Sequence, residues 1–98
     1  MANIFEINAI VSESDFLAAS DKMQKEFYDQ YDNLKGRELY KGEDTWIEIM
    51  KWEGNGPSKE MQKAYQASEA CMAYMGMINM DSTKGHLLQV RVHNNTNQ

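Results

Sequence analysis

An α+β sandwich in the order β-α-β-β-α-β is predicted by three observations. Alternating apolar segments stand at Ile4–Val11, Thr45–Trp52 and Gly85–His93. Apolar residues recur at the i, i+3, i+4 spacing of a helix face after Ser12 and again after Ser58. The chain of 98 residues has room for one core, which all these elements must share. A single domain over residues 1–98 is expected, with its core between 4 and 93 and a polar tail at 94–98.

The first strand, Ile4–Val11, sets Phe5, Ile7, Ala9 and Val11 on one face and Ile4, Glu6, Asn8 and Ile10 on the other. Ser12 offers an N-cap oxygen, Glu13 and Asp15 suit the positive end of a helix, and Ser12-x-x-Asp15 approximates a capping box. The helix stripe runs through Phe16, Ala19, Met23, Phe27 and Tyr31 or Tyr28, and Asn33–Gly36 supplies the stop. Arg37–Lys41 and Thr45–Trp52 flank the turn Gly42-Glu43-Asp44 as a hairpin, with Ile47 and Ile49 on one face and Trp46, Glu48, Met50 and Trp52 on the other. Gly54-Asn55-Gly56-Pro57 breaks the chain, and Ser58 caps a second helix with a stripe from Met61 through Tyr65 and Cys71 to Met75. Gly76–Gly85 is expected to be irregular. A last strand follows, with Leu88, Val90 and Val92 opposed to Leu87, Gln89, Arg91 and His93.

This is the split βαβ, or ferredoxin-like, order. It predicts a four-stranded antiparallel sheet with strands one and three in the middle and two helices on one face. With Phe5/Ile7/Ala9/Val11, Ile47/Ile49 and Leu88/Val90/Val92 under the helices, the open face carries Ile4, Trp46, Glu48, Met50, Trp52 and Arg91. That mixture is too apolar for water and too polar for a dry core, so it is expected to meet a second copy of the chain. Arg91 is then placed to neutralise Glu6 or Glu48.

Composition bounds the function. Only 17 residues are Leu, Ile, Val or Phe, against 8 Met, 2 Trp and 5 Tyr, so Met and aromatics must build much of the core. A net charge of −5 without a basic run excludes the phosphate-neutralising surface that nucleic acid requires. No apolar window reaches the roughly 20 residues of a membrane span. The lone Cys71 and the absence of a signal-peptide pattern point to the cytoplasm. Neither zinc spacing nor a cofactor motif occurs: Gly54-x-Gly56 lacks the third glycine and the Lys-Ser/Thr pair of phosphate-binding turns. No metal and no cofactor are expected.

With its length, its element order and the strand ending Glu48-Ile49-Met50-Lys51-Trp52-Glu53 before a helix, the chain resembles the dimeric α+β barrel superfamily. It is most similar to the antibiotic-biosynthesis-monooxygenase-like branch, over about Ile4–His93. The resemblance implies a homodimer closed through its open sheet faces and a pocket between sheet and helices for a small apolar or aromatic ligand. It also implies, for several members, oxygenation of an aromatic or quinol substrate without metal or flavin. Asn8 matches by strand position an asparagine of related haem-degrading proteins, and Trp52 loosely matches their tryptophan. Their histidine ligand has no counterpart, because Ser58–Asn79 contains no histidine.

On this reading Asn8 orients the substrate and His86 or a tyrosine accepts its proton. Trp52 stacks on the ligand, with Tyr65, Met72 and Arg91 as further binding residues. The bland readings stand beside these: Asn8 as an interface hydrogen bond, the tryptophans as dimer packing, the methionines as core, Arg91 as an ion pair and Cys71 as an inert small hydrophobe. Two functions compete, a cofactor-independent monooxygenase and a non-catalytic ligand-binding or interaction module.

Overall fold

The computed structural model describes residues 1–86. Its strands are β1 (Ala2–Ile7), β2 (Leu34–Lys41), β3 (Trp46–Trp52) and β4 (Ile78–His86), and its helices α1 (Glu13–Glu26), α2 (Lys59–Ala67) and α3 (Glu69–Gly76). The strands form one antiparallel sheet in the order β2-β3-β1-β4. With the helices against one face, this is the ferredoxin-like sandwich, and β1 and β3 lie in the middle as the sequence predicts. Leu87–His93, the larger part of the predicted last strand, and the tail at 94–98 lie outside the described residues.

α1 begins where its cap dictates: the Ser12 hydroxyl accepts from the Asp15 amide at 3.1 Å, with Glu13 and Asp15 in the first turn. Phe16, Met23 and Phe27 are buried along the predicted stripe. The helix yields at Phe27 to a single 3₁₀ turn, Tyr28–Gln30, earlier than the stop expected at Asn33–Gly36. The tighter winding lets the consecutive Phe27 and Tyr28 both face the core.

Other elements also differ from the sequence reading, and β2 begins at Leu34 instead of Arg37. β1 starts at Ala2 and ends at Ile7, not at Val11. Its last neighbour is Ile78, opposite Ile7, after which the Asn8 amide bonds the Met77 carbonyl and Val11 turns back onto the Asn8 carbonyl. Beyond that point no strand of the sheet is left to pair with, and Ala9 and Ile10 stand in solvent. The second helix is two helices. Ser68 takes an extended conformation (φ −85°, ψ 124°) that ends α2, and its hydroxyl caps α3 by accepting from Cys71 N.

β4 occupies the stretch expected to be irregular. Its register against β1 shifts between Ile4 and Glu6, and there the Ser82 hydroxyl stands in for a ladder partner, accepting from Glu6 N at 2.9 Å and donating to the Asn79 carbonyl. Such a bulge erases the alternation by which a strand is recognised.

β3 is turned over. Trp46, Glu48 and Met50 lie under the helices at 5 %, 5 % and 2 % exposure, while Ile47 and Ile49 are half-buried on the open face. Register gives the reason: Trp46 sits opposite Phe5 and Ile47 opposite Ile4, and directly opposed residues share a face. Phe5 and Trp46 both pack on Phe16, at centroid distances of 5.9 and 5.0 Å. Indole and thioether side chains bury more area than isoleucine, so the core takes them.

Candidate functional site

Turning β3 over carries Glu48 into the interior, where an unpaired carboxylate would be severely penalised. Its partner among the described residues is Arg37 of β2; Arg91, expected from the sequence to neutralise Glu6 or Glu48, lies outside them. Arg37 Nε donates to Glu48 Oε2 at 2.9 Å and Nη2 stands 2.8 Å from the same oxygen. Nη1 donates to the Ser20 hydroxyl of α1 at 2.9 Å. Tyr74 of α3 adds a hydroxyl to Oε2 at 3.1 Å, and the Asn3 amide of β1 donates to Oε1 at 3.1 Å. The guanidinium also lies between two rings, 5.7 Å from the Tyr28 centroid and 5.4 Å from that of Tyr74. One charge pair thus ties three strands to α1 and α3.

This environment fixes protonation. Burial, the largest single influence, works against the Arg37 charge, but Glu48, Tyr74 and Tyr28 together outweigh it and hold the guanidinium above its ordinary pKa. Burial, reinforced by the Glu48 charge, pushes the Tyr74 phenol far above the usual range, and Tyr28 and Tyr65 rise mainly by burial as well. All three are neutral hydroxyls at any physiological pH. Glu48 accepts from three side chains, Arg37, Tyr74 and Asn3, an arrangement that holds its carboxyl group in place.

Two cavities flank the cluster. The inner one, about 230 Å³, is bounded by Asn3, Phe5, Glu48, Tyr74 and Ile78 among others. The outer one, about 240 Å³, lies beneath α2 between Phe27, Tyr28, Trp52, Met61 and Tyr65, with the exposed Gln62 and Gln66 completing its wall. Met1, Tyr28 and Tyr65 line both. The aromatic walls are set at steep angles: Phe27 and Tyr65 meet at 5.4 Å and 87°, Tyr28 and Trp52 at 6.4 Å and 72°. Edge-to-face walls of this kind leave ring faces free for a planar guest. Among the described residues the buried Trp52 indole nitrogen has no hydrogen-bond partner, and the Tyr65 hydroxyl finds only the Met23 sulfur at 3.6 Å.

Of the residues singled out in the sequence, Trp52 and Tyr65 are brought together on the outer cavity. Asn8 is not: it sits in the turn after β1, where its amide donates to the Gly76 carbonyl at 3.1 Å and ties that turn to the end of α3. Met72 is on the outer side of α3, 41 % exposed. His86 closes β4 opposite Ala2, and Arg91 and His93 lie outside the described residues. Trp46 belongs to the core with Phe16. Cys71 is fully buried on α3, and burial foremost raises its thiol pKa, as an unreactive cysteine requires.

The sequence reading missed Arg37, Ser20 and Asn3. A hairpin closed at Gly42–Asp44 sets Leu39 opposite Glu48 and Arg37 opposite Met50, so Arg37 is the diagonal neighbour of Glu48. That signal was present once the turn was placed. Among the described residues no three His, Cys, Asp or Glu side chains gather as a metal site, and no helix is long and apolar enough to cross a membrane. No protein-family model, no curated protein and no solved structure matches this chain.

Proposed function

We propose that the protein binds a small, planar, apolar or aromatic molecule in the outer cavity between its sheet and α2. The observation that carries this reading is the cavity itself: about 240 Å³ walled by aromatic rings beside Trp52. Its volume is below the roughly 300–1,000 Å³ of drug-sized sites, which limits the guest to one or two rings. The test is titration of naphthalene-sized neutral compounds, followed by tryptophan fluorescence and thermal shift. Saturable quenching with a raised Tm supports the reading, and a flat response to the whole series removes it.

The likeness to antibiotic-biosynthesis-monooxygenase-like proteins supplies a second reading, supported by the polar wall of the inner cavity at Glu48, Tyr74 and Asn3. In that reading an activated methylene loses a proton, the carbanion reacts with molecular oxygen, the carbon becomes a carbonyl and the second oxygen atom leaves as water. With Tyr28, Tyr65 and Tyr74 held neutral by burial, this reading proposes His86 as the base, Asn8 as the residue that orients the substrate, and Arg91 and Met72 as further binding residues. Oxygen uptake with anthrones and quinols, abolished in His86→Ala, is its signature.

Both readings place the protein in the cytoplasm as a homodimer closed through the open sheet face. Ile4, Ile47 and Ile49 are half-buried there, beside Tyr40 at 50 % exposure. An aliphatic centre rimmed by Glu38, Lys51 and Lys84 suits a second copy. Sedimentation at micromolar concentration tests it, and a monomer at all concentrations removes it.

A further inference from the structure

Three features of the outer cavity belong together. The first is how α2 is held. On its N-terminal side the chain passes through Gly54 and Gly56, both at positive φ (75° and 86°) with open space around each. On its C-terminal side it ends at the extended Ser68. The element that runs close along α2 is α3, whereas α1 packs on α3 and the strands pack on one another. Met61 and Tyr65 anchor its inner face, and Tyr65 does so through rings and a single weak bond to sulfur. α2 is therefore a short helix between two non-helical joints.

The second feature is the Trp52 indole N–H. It is shielded from solvent and has no partner among the described residues, a standing cost in any folded state that leaves it so. Shielding also means that a guest resting in the cavity as it stands does not reach the N–H. Relief requires a wall to move, and the wall with joints at both ends is α2. The third feature is charge. No charged side chain lines the outer cavity, and the one charged group there, the Met1 α-ammonium, is engaged by the Met50 carbonyl at 3.0 Å, so a carboxylate carried by a guest would find no side-chain counter-ion.

We infer that α2 is a hinged lid over the outer cavity, and that the ligand it admits is a neutral one- or two-ring molecule whose carbonyl or ether oxygen accepts the Trp52 indole N–H. This rests on the ligand-binding reading and adds the chemical class and the way in. The bound state has the lid displaced far enough to expose the indole nitrogen to the ligand oxygen, then closed over the rings by Met61 and Tyr65.

The experiment uses the full chain and three probes of one size: 2-acetylnaphthalene, 2-ethylnaphthalene and 2-naphthoate. Calorimetric titration is expected to show the ketone binding about tenfold more tightly than the hydrocarbon, the return on satisfying one buried donor. Naphthoate is expected to bind at least as weakly as the hydrocarbon. In Trp52→Phe the ketone and the hydrocarbon become equal. ¹⁵N spectra of the unaltered protein give the same answer without a variant, because the Trp52 indole resonance moves downfield with the ketone and stays with the hydrocarbon. Amides of Lys59–Ala67 are expected to exchange at least tenfold faster than those of α1 in the free protein and to slow when the ketone is added. Equal affinities of ketone and hydrocarbon overturn the Trp52 contact, tight naphthoate binding overturns the neutral class, and exchange in α2 as slow as in α1 overturns the lid. Failure of all three probes to bind removes the ligand-binding reading itself.

Discussion

Two ion pairs join the same two strands on opposite faces of the sheet. Arg37–Glu48 lies under the helices, with side chains 8 % and 7 % exposed at 2.8 Å. Lys51–Glu38 lies on the open face, with side chains 65 % and 39 % exposed at 2.9 Å. Length does not distinguish them; surroundings do. The outer pair competes with water and salt at every moment. The inner pair has Ser20, Asn3, Tyr28 and Tyr74 around it in place of water, so removing one partner strands the other in a medium that does not solvate it. The comparison teaches that the hairpin has a structural face and a surface face, and that the charged residues on the first are as much part of the core as Phe16.

The sharpest way to break that contrast is Glu48→Ala. It leaves a guanidinium buried without its counter-ion, and the loss is expected at about 3–5 kcal/mol by urea denaturation. Most of the stability of a domain this small would go with it. The double variant Arg37→Met/Glu48→Leu should recover the larger part, since a buried pair replaced by apolar groups of similar volume is often neutral. If Glu48→Ala unfolds at the same urea concentration as the unaltered protein, the cluster does not hold the fold together.

Alkaline pH probes the same face through its tyrosines. Tyr28 and Tyr74 have folded pKa values raised well above the ordinary 10.0, principally by burial. Below about pH 10 both hold their protons in folded and unfolded chains, and their contribution is fully present. Above it the unfolded chain releases protons that the folded chain retains, so stability falls as pH rises toward the folded values. At one unit above the unfolded pKa each phenol costs about 1.4 kcal/mol, so the pair costs about 3 kcal/mol. A flat urea midpoint between pH 9 and 11 would mean that these phenols ionise freely in the native protein.

The two faces also show what was legible beforehand. The cap at Ser12 and the stripe Phe16–Met23–Phe27 followed from period and punctuation, because each is encoded within one segment, and the central position of β1 and β3 followed from the element order. The orientation of β3 is not. TWIEIMKW alternates equally well either way up, and only its pairing with Phe5 of β1, a contact 41 residues distant, decides that Trp46 goes inward. Reading isoleucine as core and glutamate as surface chose the wrong face, since Arg37 was not yet in view to make Glu48 tolerable inside. Trp52 and Tyr65, read from the sequence as candidate ligand-facing aromatics, both line the outer cavity. The role of Asn8 was obscured by placing it inside a strand that in fact stops one residue before it.

The open face is expected to respond through association, not through folding. Ile47→Glu puts a charge at the aliphatic centre beside Ile4 and Ile49. If the face is a homodimer interface, a central apolar contact of this kind is worth about 2 kcal/mol or more, so dissociation should strengthen by at least about thirtyfold. The urea midpoint of the monomer should barely move, because position 47 is outside the helix-covered core. Analytical ultracentrifugation over a dilution series separates the two effects. An unchanged sedimentation coefficient for the variant, with the unaltered chain dimeric, would put the interface elsewhere.

The smallest effect is expected at Glu38. Its carboxyl is held below its ordinary pKa, first by the Tyr40 hydroxyl and then by Lys51, and both partners are at the surface. Such a group adds stability above its unfolded pKa and loses it as pH falls through the lower folded value; exposure and screening make that contribution slight. Glu38→Gln keeps the side chain's shape and removes its charge. Its urea midpoint at pH 7 should coincide with that of the unaltered protein, at low salt and at 1 M salt alike. Set beside Glu48→Gln, which removes the same charge on the other side of the sheet and should fall steeply at both salt concentrations, the pair measures what burial alone adds to one carboxylate. Equal midpoints for the two variants would erase the distinction between the faces.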